Sequence, residues 1–300
     1  AVTQLSHYLI EHLTLSGIAR TLVMFLGTYW VWNYTAWALN WLEPARVSVR
    51  LLIFALMAAA LVLAMSIGEA FGEGGLSFAL SLVFIQIVRS AFTVWALHGV
   101  RPENHRNFVR ITLWFMVSGV LWIAGGMAAS DTRLLLCLAP LIVEFLGPPL
   151  NFWVPGMGRS HSTDWDIEGA HLAERHGLFI IILLGESIII TGSTASGLEW
   201  DFTTVASFAT AFLGTVAMWW IYFNIGAERA VHHIQEVRDP GHYARLVFNY
   251  MHLPLIAGIL ASAAADELIL LSDVTRTSVL IDALSHEGDG SEATASDVEG

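Results

Sequence analysis

Three charged residues, Arg89, Glu144 and Glu186, interrupt stretches that are otherwise apolar and of membrane-spanning length, about 20 residues each. Charge inside hydrocarbon is costly, so such residues pair with one another and mark ion or substrate paths. Counted from the start of their stretches they lie about 13, ten and nine residues deep, which at roughly 1.5 Å per residue brings all three near one midplane. One arginine and two carboxylates at one depth predict a buried ion-paired cluster with one carboxylate left to titrate. That arrangement suits a proton or cation relay. A charge pair that fixes helix register and moves nothing accounts for the same residues. Gln86, Arg89 and Thr93 are spaced to share one helix face, which should point into the bundle.

Other polar residues fall into smaller groups. Asn249 and His252 stand one turn apart, followed by Pro254, whose missing N–H frees a backbone carbonyl at a cavity, a hinge or a packed kink. His7, Asp266 and Glu267 sit at the ends of their stretches, either lining an outer mouth or simply solvated. Gly147-Pro148-Pro149 breaks another stretch and leaves a half-helix end, or a kink, near Asn151. His161, Asp164, Asp166 and His171, and the pair His232 and His233, lack zinc-ligand spacing, so no metal is expected. The chain has no Gly-rich phosphate loop, no Gly-x-Ser-x-Gly and no His-Glu-x-x-His. Ser187 beside Glu186 is the one faint nucleophile, so the chain is not read as an enzyme.

The elements that must hold these residues follow from composition. Of 300 residues, 55% are hydrophobic and 13% charged, about half the charge of a soluble domain. Uncharged stretches at 21–42, 51–68, 111–130, 202–226 and 246–265 read as spans. So do 76–97, 134–155 and 177–198, each broken by one internal charge. Residues 1–10 read as the second half of a helix whose beginning is absent. The expectation is an all-α polytopic transmembrane helix bundle of about nine spans over 1–270. An acidic, disordered tail is expected over 271–300.

All 14 basic residues are arginine, and their placement supplies a direction. Arg46, Arg50, Arg101, Arg106, Arg110, Arg159, Arg175, Arg229, Arg238 and Arg245 occupy alternate connections, while only Arg20 and Arg133 fall in the others. Basic residues collect on the cytoplasmic side. The first helix should therefore enter from the cytoplasm of the plasma membrane, and the segment after 265 should lie outside. Interfacial belts account for Trp41, Trp219 and Trp220, and helix packing for Trp30, Trp32 and Trp37. A net charge of −12 argues against nucleic acid as a partner. Cys137, the single cysteine, reads as a small buried packing residue.

The run His171-Leu172-Ala173-Glu174-Arg175-His176-Gly177-Leu178-Phe179, continuing to Leu184-Gly185-Glu186-Ser187, resembles the signature of the bacterial low temperature requirement A (LtrA) family of multipass membrane proteins. Thr3-Gln4-Leu5-Ser6-His7, Trp219-Trp220-Ile221-Tyr222-Phe223 and Tyr250-Met251-His252-Leu253-Pro254-Leu255-Ile256-Ala257-Gly258 agree with it in order, over roughly residues 1–270. The acidic, Phe-rich opening of the family is missing, and a polar tail replaces further hydrophobic helices after about Leu271. The resemblance implies an association with growth at low temperature, and its signature contains Glu186. Within the signature, His171, Arg175 and Glu186 are spaced to form one stripe from the cytoplasmic surface to the midplane. Together with Glu174, Asn249 and His252 they make a candidate polar pathway. His171 and Glu174 read equally as the polar first turn of a helix. The leading expectation is a transporter or ion-coupled protein that meets the lipid bilayer and a small solute or ion. The alternative is a non-transporting sensor or scaffold acting through its cytoplasmic loops.

Overall fold

In hydrocarbon a backbone can satisfy its own N–H and C=O groups only as a helix or a closed barrel. The long apolar stretches of this chain, poor in β-type alternation, take the first course. The computed structural model describes residues 1–161, 169–227 and 245–271. Among the described residues there are nine helices and no strand. They are α1 (Val2–Glu11), α2 (Leu15–Ala38), α3 (Val47–Met65), α4 (Gly75–Leu97), α5 (Pro102–Met127), α6 (Ser130–Leu146), α7 (Gly169–Ser196), α8 (Phe202–Trp220) and α9 (Leu246–Leu271). The expected positions 164 and 166, the loop residues 229, 232, 233 and 238, and the tail from 272 lie outside the described residues.

Six helices are long and apolar enough to cross a membrane: α3, α4, α5, α7, α8 and α9. The expected nine spans are not reached on that criterion. α1 has 10 residues and α6 has 17, with Pro140 inside it. α2 has 24, but Asn33, Thr28, Thr35 and its tryptophans and tyrosines dilute its apolar character. The beginning of α5 also differs from expectation. It starts at Pro102 rather than 111, with proline in the first turn, where its missing N–H costs nothing.

α2 lies at the centre, with Met24, Trp30 and Asn33 wholly buried. α3, by contrast, exposes Phe54, Met57 and Leu61 on one side, the pattern of a helix facing lipid. The seams between helices are made by small residues, which let backbones approach closely. A Cβ added at Gly126 of α5 would stand 2.8 Å from both the Ala79 Cβ and the Gly75 carbonyl oxygen of α4. One at Gly27 of α2 would stand 3.1 Å from a Leu82 methyl and 3.3 Å from the Trp122 ring. Cys137 is buried, its sulfur against Gly125.

Two helix starts are held by side chains. Thr14 accepts from the Gly17 N–H at 3.0 Å at the start of α2, and Asp201 from the Thr204 N–H at 2.8 Å at the start of α8. α6 stops at Leu146 before Gly147-Pro148-Pro149, and the chain turns back through Asn151 (φ 52°) and Phe152 (φ 48°). Two successive non-glycine residues in the left-handed region need outside support. It comes from Arg245 Nη1, which donates to Asn151 Oδ1 at 2.9 Å, and from the burial of Phe152. Arg133, one of the two arginines off the alternating pattern, is buried as a clamp. It donates to the Ala70 carbonyl at 3.1 Å and the Ala128 carbonyl at 2.8 Å, and also to that of Gly72, tying the α3–α4 turn to α6.

Two outcomes follow. Gly126→Val should force α4 from α5, costing about 1–3 kcal/mol, read as a lower Tm of the detergent-purified protein, while Gly214→Val, in open space, should leave it unchanged. The Thr204 N–H and hydroxyl hold the Asp201 carboxyl below its usual range. A depressed acid contributes its stability above the ordinary carboxylate range and loses it as pH falls through the depressed value. Hydrogen exchange at the first turn of α8 should therefore quicken in strong acid, and at neutral pH in Asp201→Ala.

Candidate functional site

One face of α4 carries Gln86, Arg89, Ser90 and Thr93 at positions i, i+3, i+4 and i+7, none more than 1% exposed. Arg89 is held by its neighbours and not by an acid. Its Nη1 donates to the Val31 carbonyl at 3.0 Å and to Thr35 Oγ1 at 3.2 Å, both on α2. The guanidinium lies over the rings of Tyr34 and Phe115, 5.7 and 5.3 Å from their centroids. Its Nη2 has no hydrogen-bond partner.

Glu144 reaches the same interior from α6 and is 3% exposed. Its Oε1 accepts from Ser118 Oγ and from Trp122 Nε1, each at 2.9 Å, both on α5. The Gln86 side chain adjoins the carboxylate as a third hydrogen-bonding neighbour. Among the described residues no ion pair joins Arg89 to Glu144. The interior thus holds a carboxylate among three neutral neighbours, Ser118, Trp122 and Gln86, and a guanidinium with one open nitrogen. Such a set can exchange a proton or hold a small polar guest.

Glu186 is not in contact with either. Half-buried on α7, its Oε1 accepts from the Thr3 hydroxyl of α1. One turn on, His7 Nε2 lies 3.8 Å from Glu267 Oε1 of α9, so two of the three expected mouth residues meet. Asp266 faces elsewhere, into a groove between α8 and α9. The three-charge cluster therefore divides: Arg89 and Glu144 share the α2–α4–α5–α6 interior, and Glu186 belongs to the α1–α7 contact.

The expected pathway also divides. At the start of α7, Arg175 Nε donates to His171 Nε2 at 3.4 Å, and Glu174 is exposed. Asn249 and His252 lie deeper. Asn249 Oδ1 accepts from Asn33 Nδ2 at 2.9 Å and Trp37 Nε1 at 2.8 Å, joining α9 to α2. His252 Nδ1 faces the Val247 carbonyl at 2.9 Å, and His176 Nδ1 faces that of Leu172 at 2.8 Å. A carbonyl only accepts, so Nδ1 carries the proton in both rings and Nε2 the lone pair. His252 Nε2 accepts from the Tyr222 hydroxyl at 3.1 Å, while His176, wholly buried with its ring 4.7 Å from that of His252, also lies against the Phe248 backbone.

This group lies where two π-helical turns meet. α8 runs on through Ile221–Ala227, carrying Tyr222, and α9 opens with Leu246–Met251, carrying Asn249. Such turns are frequent at functional sites because they release backbone carbonyls. One of these, that of Phe248, accepts from the Tyr29 hydroxyl at 2.7 Å. Sequence reading missed His176, Tyr222, Asn33 and Trp37 here, and Ser118 and Trp122 at Glu144. A histidine amid an apolar helix was a usable signal for His176. Lone hydroxyls, amides and indoles in apolar runs carried none.

Asn249→Leu should strand the Asn33 amide and the Trp37 indole N–H without an acceptor, at a cost of about 1–3 kcal/mol for the unmade bonds. The check is a fall in Tm, together with faster tryptophan indole exchange.

The comparisons with known proteins agree along the chain. The family model of the bacterial low temperature requirement A protein (LtrA) matches residues 1–292, extending past 270, where the resemblance read from motifs ends. An uncharacterized protein of Rhizobium meliloti (strain 1021) is 40% identical over 273 residues, covering 90% of this chain and 66% of that relative. The chain thus spans about two thirds of that relative's length. No solved structure matches. Motifs in their expected order, an all-helical bundle of apolar helices and a match over nearly its whole length lead to one conclusion: the chain belongs to the bacterial LtrA family and is a multi-pass membrane protein.

Proposed function

We propose that this protein is a transporter or ion-coupled membrane protein working through the Arg89–Glu144 interior. The observation that carries the reading is Glu144, a carboxyl group buried among α4, α5 and α6 with neutral hydrogen-bonding neighbours and, among the described residues, no ion-pair partner. An acid at such a place is costly in low dielectric where a neutral side chain would not be, and by default it marks a functional group. Arg89 stands near enough to bias the charge of Glu144 and is held too firmly by Val31, Thr35 and two rings to neutralise it by direct pairing.

In this reading the arginine-rich connections face the cytoplasm and the end of α9 faces outward, with nine crossings once α1, α2 and α6 are counted. Asn249 and His252 then lie on the cytoplasmic side of the midplane and Glu186, His7 and Glu267 on the outer side. The bilayer is the resident partner, and a small solute or ion the cargo. The link to growth at low temperature comes with the family's name and is part of the proposal.

Glu144→Gln is the decisive variant. The amide keeps an oxygen for Ser118 and Trp122, so the protein should insert and keep its Tm within about 1 kcal/mol of stability, as expected for a near-isosteric change. Cold-growth complementation and solute- or proton-driven flux in proteoliposomes should fall to background. Wild-type behaviour in both assays overturns the reading. If replacing Arg101, Arg106 and Arg110 proves the more damaging change, the protein acts instead as a sensor or scaffold through its cytoplasmic loops.

A further inference from the structure

Each hydrogen-bonding neighbour of the Glu144 carboxylate is a donor or can become one. Trp122 Nε1 carries a hydrogen and no lone pair, so it only donates. Ser118 Oγ has one hydrogen and two acceptors within reach, Glu144 Oε1 at 2.9 Å and the Phe115 carbonyl at 3.2 Å. The Gln86 amide of α4 presents both N–H and C=O. Among the described residues, the other charged or titratable side chains facing Glu144 are Arg89 of α4 and Tyr34 of α2. Arg89 has donors alone, and Val31, Thr35 and two rings hold it.

Such surroundings make a poor cage for a metal cation. Hard cations are held by oxygen lone pairs, about six or more for calcium and magnesium. Glu144, Ser118 and Gln86 together offer four side-chain oxygens. The hydrogens of Trp122 and Ser118 already point at Glu144 Oε1 and take up its lone pairs. An indole N–H cannot be turned to offer a lone pair instead. A proton needs no cage, because it completes one O–H bond on an oxygen already in place.

The same neighbours also fit both protonation states. With Glu144 charged, Ser118 and Gln86 donate to it. With Glu144 neutral, its new O–H donates to the Gln86 carbonyl oxygen, and the Ser118 hydrogen turns to the Phe115 carbonyl. Trp122 donates to Oε1 throughout and holds the carboxyl in place. Neither state leaves Ser118 or the carboxyl without a partner, and in low dielectric a stranded polar group is what makes a change of charge costly. Resting on the reading of Glu144 as the working acid, we infer that the ion exchanged there is a proton and not a metal cation, and that Ser118 and Gln86 reverse their hydrogen bonds as it binds. One O–H bond forms at the carboxylate, and one breaks in the hydronium that delivers the proton.

The test is infrared difference spectroscopy of the full chain in proteoliposomes, acid against alkaline pH at fixed ionic strength. In wild type the C=O stretch of a protonated carboxyl should appear on acidification, and Glu144→Gln should remove that component. Exchanging a large organic cation in the buffer for sodium, potassium or calcium at constant pH should leave it unchanged. Ser118→Ala and Gln86→Leu should each shift its frequency, Gln86→Leu upward, because the acid then lacks its acceptor. A spectrum with no Glu144-dependent band overturns the proton assignment, as does a band that a metal cation abolishes by competition. A band that neither substitution moves overturns the reversing bonds. None of these readouts needs transport. If Glu144→Gln keeps wild-type flux while the wild-type band is present, the transport reading fails alone; if flux is lost in Glu144→Gln but sodium abolishes the band, the proton assignment fails alone.

Discussion

The cost of a polar group left unpaired in hydrocarbon governs this molecule. Each buried arginine is met by oxygens and rings already in place. Arg89 takes a carbonyl and a hydroxyl of α2 and lies over two aromatic faces. Arg110 takes Asn107 and the Met157 carbonyl, and Arg133 takes carbonyls on either side of the α3–α4 turn. Among the described residues no acid pairs with Arg89 or Arg133. A guanidinium can be held in this way because its five donors spread over several neutral acceptors, none of which has to be stripped of charge solvation.

Because Arg89 is turned toward α2, Glu144 is left to the neutral neighbours Ser118, Trp122 and Gln86. Close approach makes that possible. Gly126 and Gly75 bring α5 and α4 together, Gly27 admits Trp122, and Trp122 in turn reaches the Glu144 carboxylate. Substituting a seam glycine would act on the site through distance alone. The same economy appears in the π-helical turns of α8 and α9. There the backbone carbonyl of Phe248 meets Tyr29, and the side chains of His252 and Asn249 meet Tyr222, Asn33 and Trp37.

Much of the architecture was legible in the residues. The ends of α3, α4 and α7 fall within a few positions of the apolar runs that announced them, apart from the polar first turns of α7, and the break at Gly147-Pro148-Pro149 stops α6 as proline chemistry requires. The first nine residues of α5 were not legible. Asn104, Asn107 and Arg110 read as loop, yet each is buried, because polar helix turns are stable wherever facing helices supply partners. α2 was legible in its length, but not in its place: its buried tryptophans, tyrosines and Asn33 mark a helix surrounded by protein.

What the sequence determined by itself was local or additive: helical class, the apolar stretches, the breaks between them, the family, and the presence of charge where charge is expensive. Period and hydropathy are properties of one segment at a time, so no partner is needed to read them. Partner choice was decided only by the tertiary structure. Arg89, Glu144 and Glu186 are nearly equal in depth along their apolar stretches, and that depth alone joined them. Depth says nothing about azimuth. Rotation and neighbour order set by side-chain packing turned Glu186 toward Thr3 and left Arg89 and Glu144 sharing an interior without an ion pair.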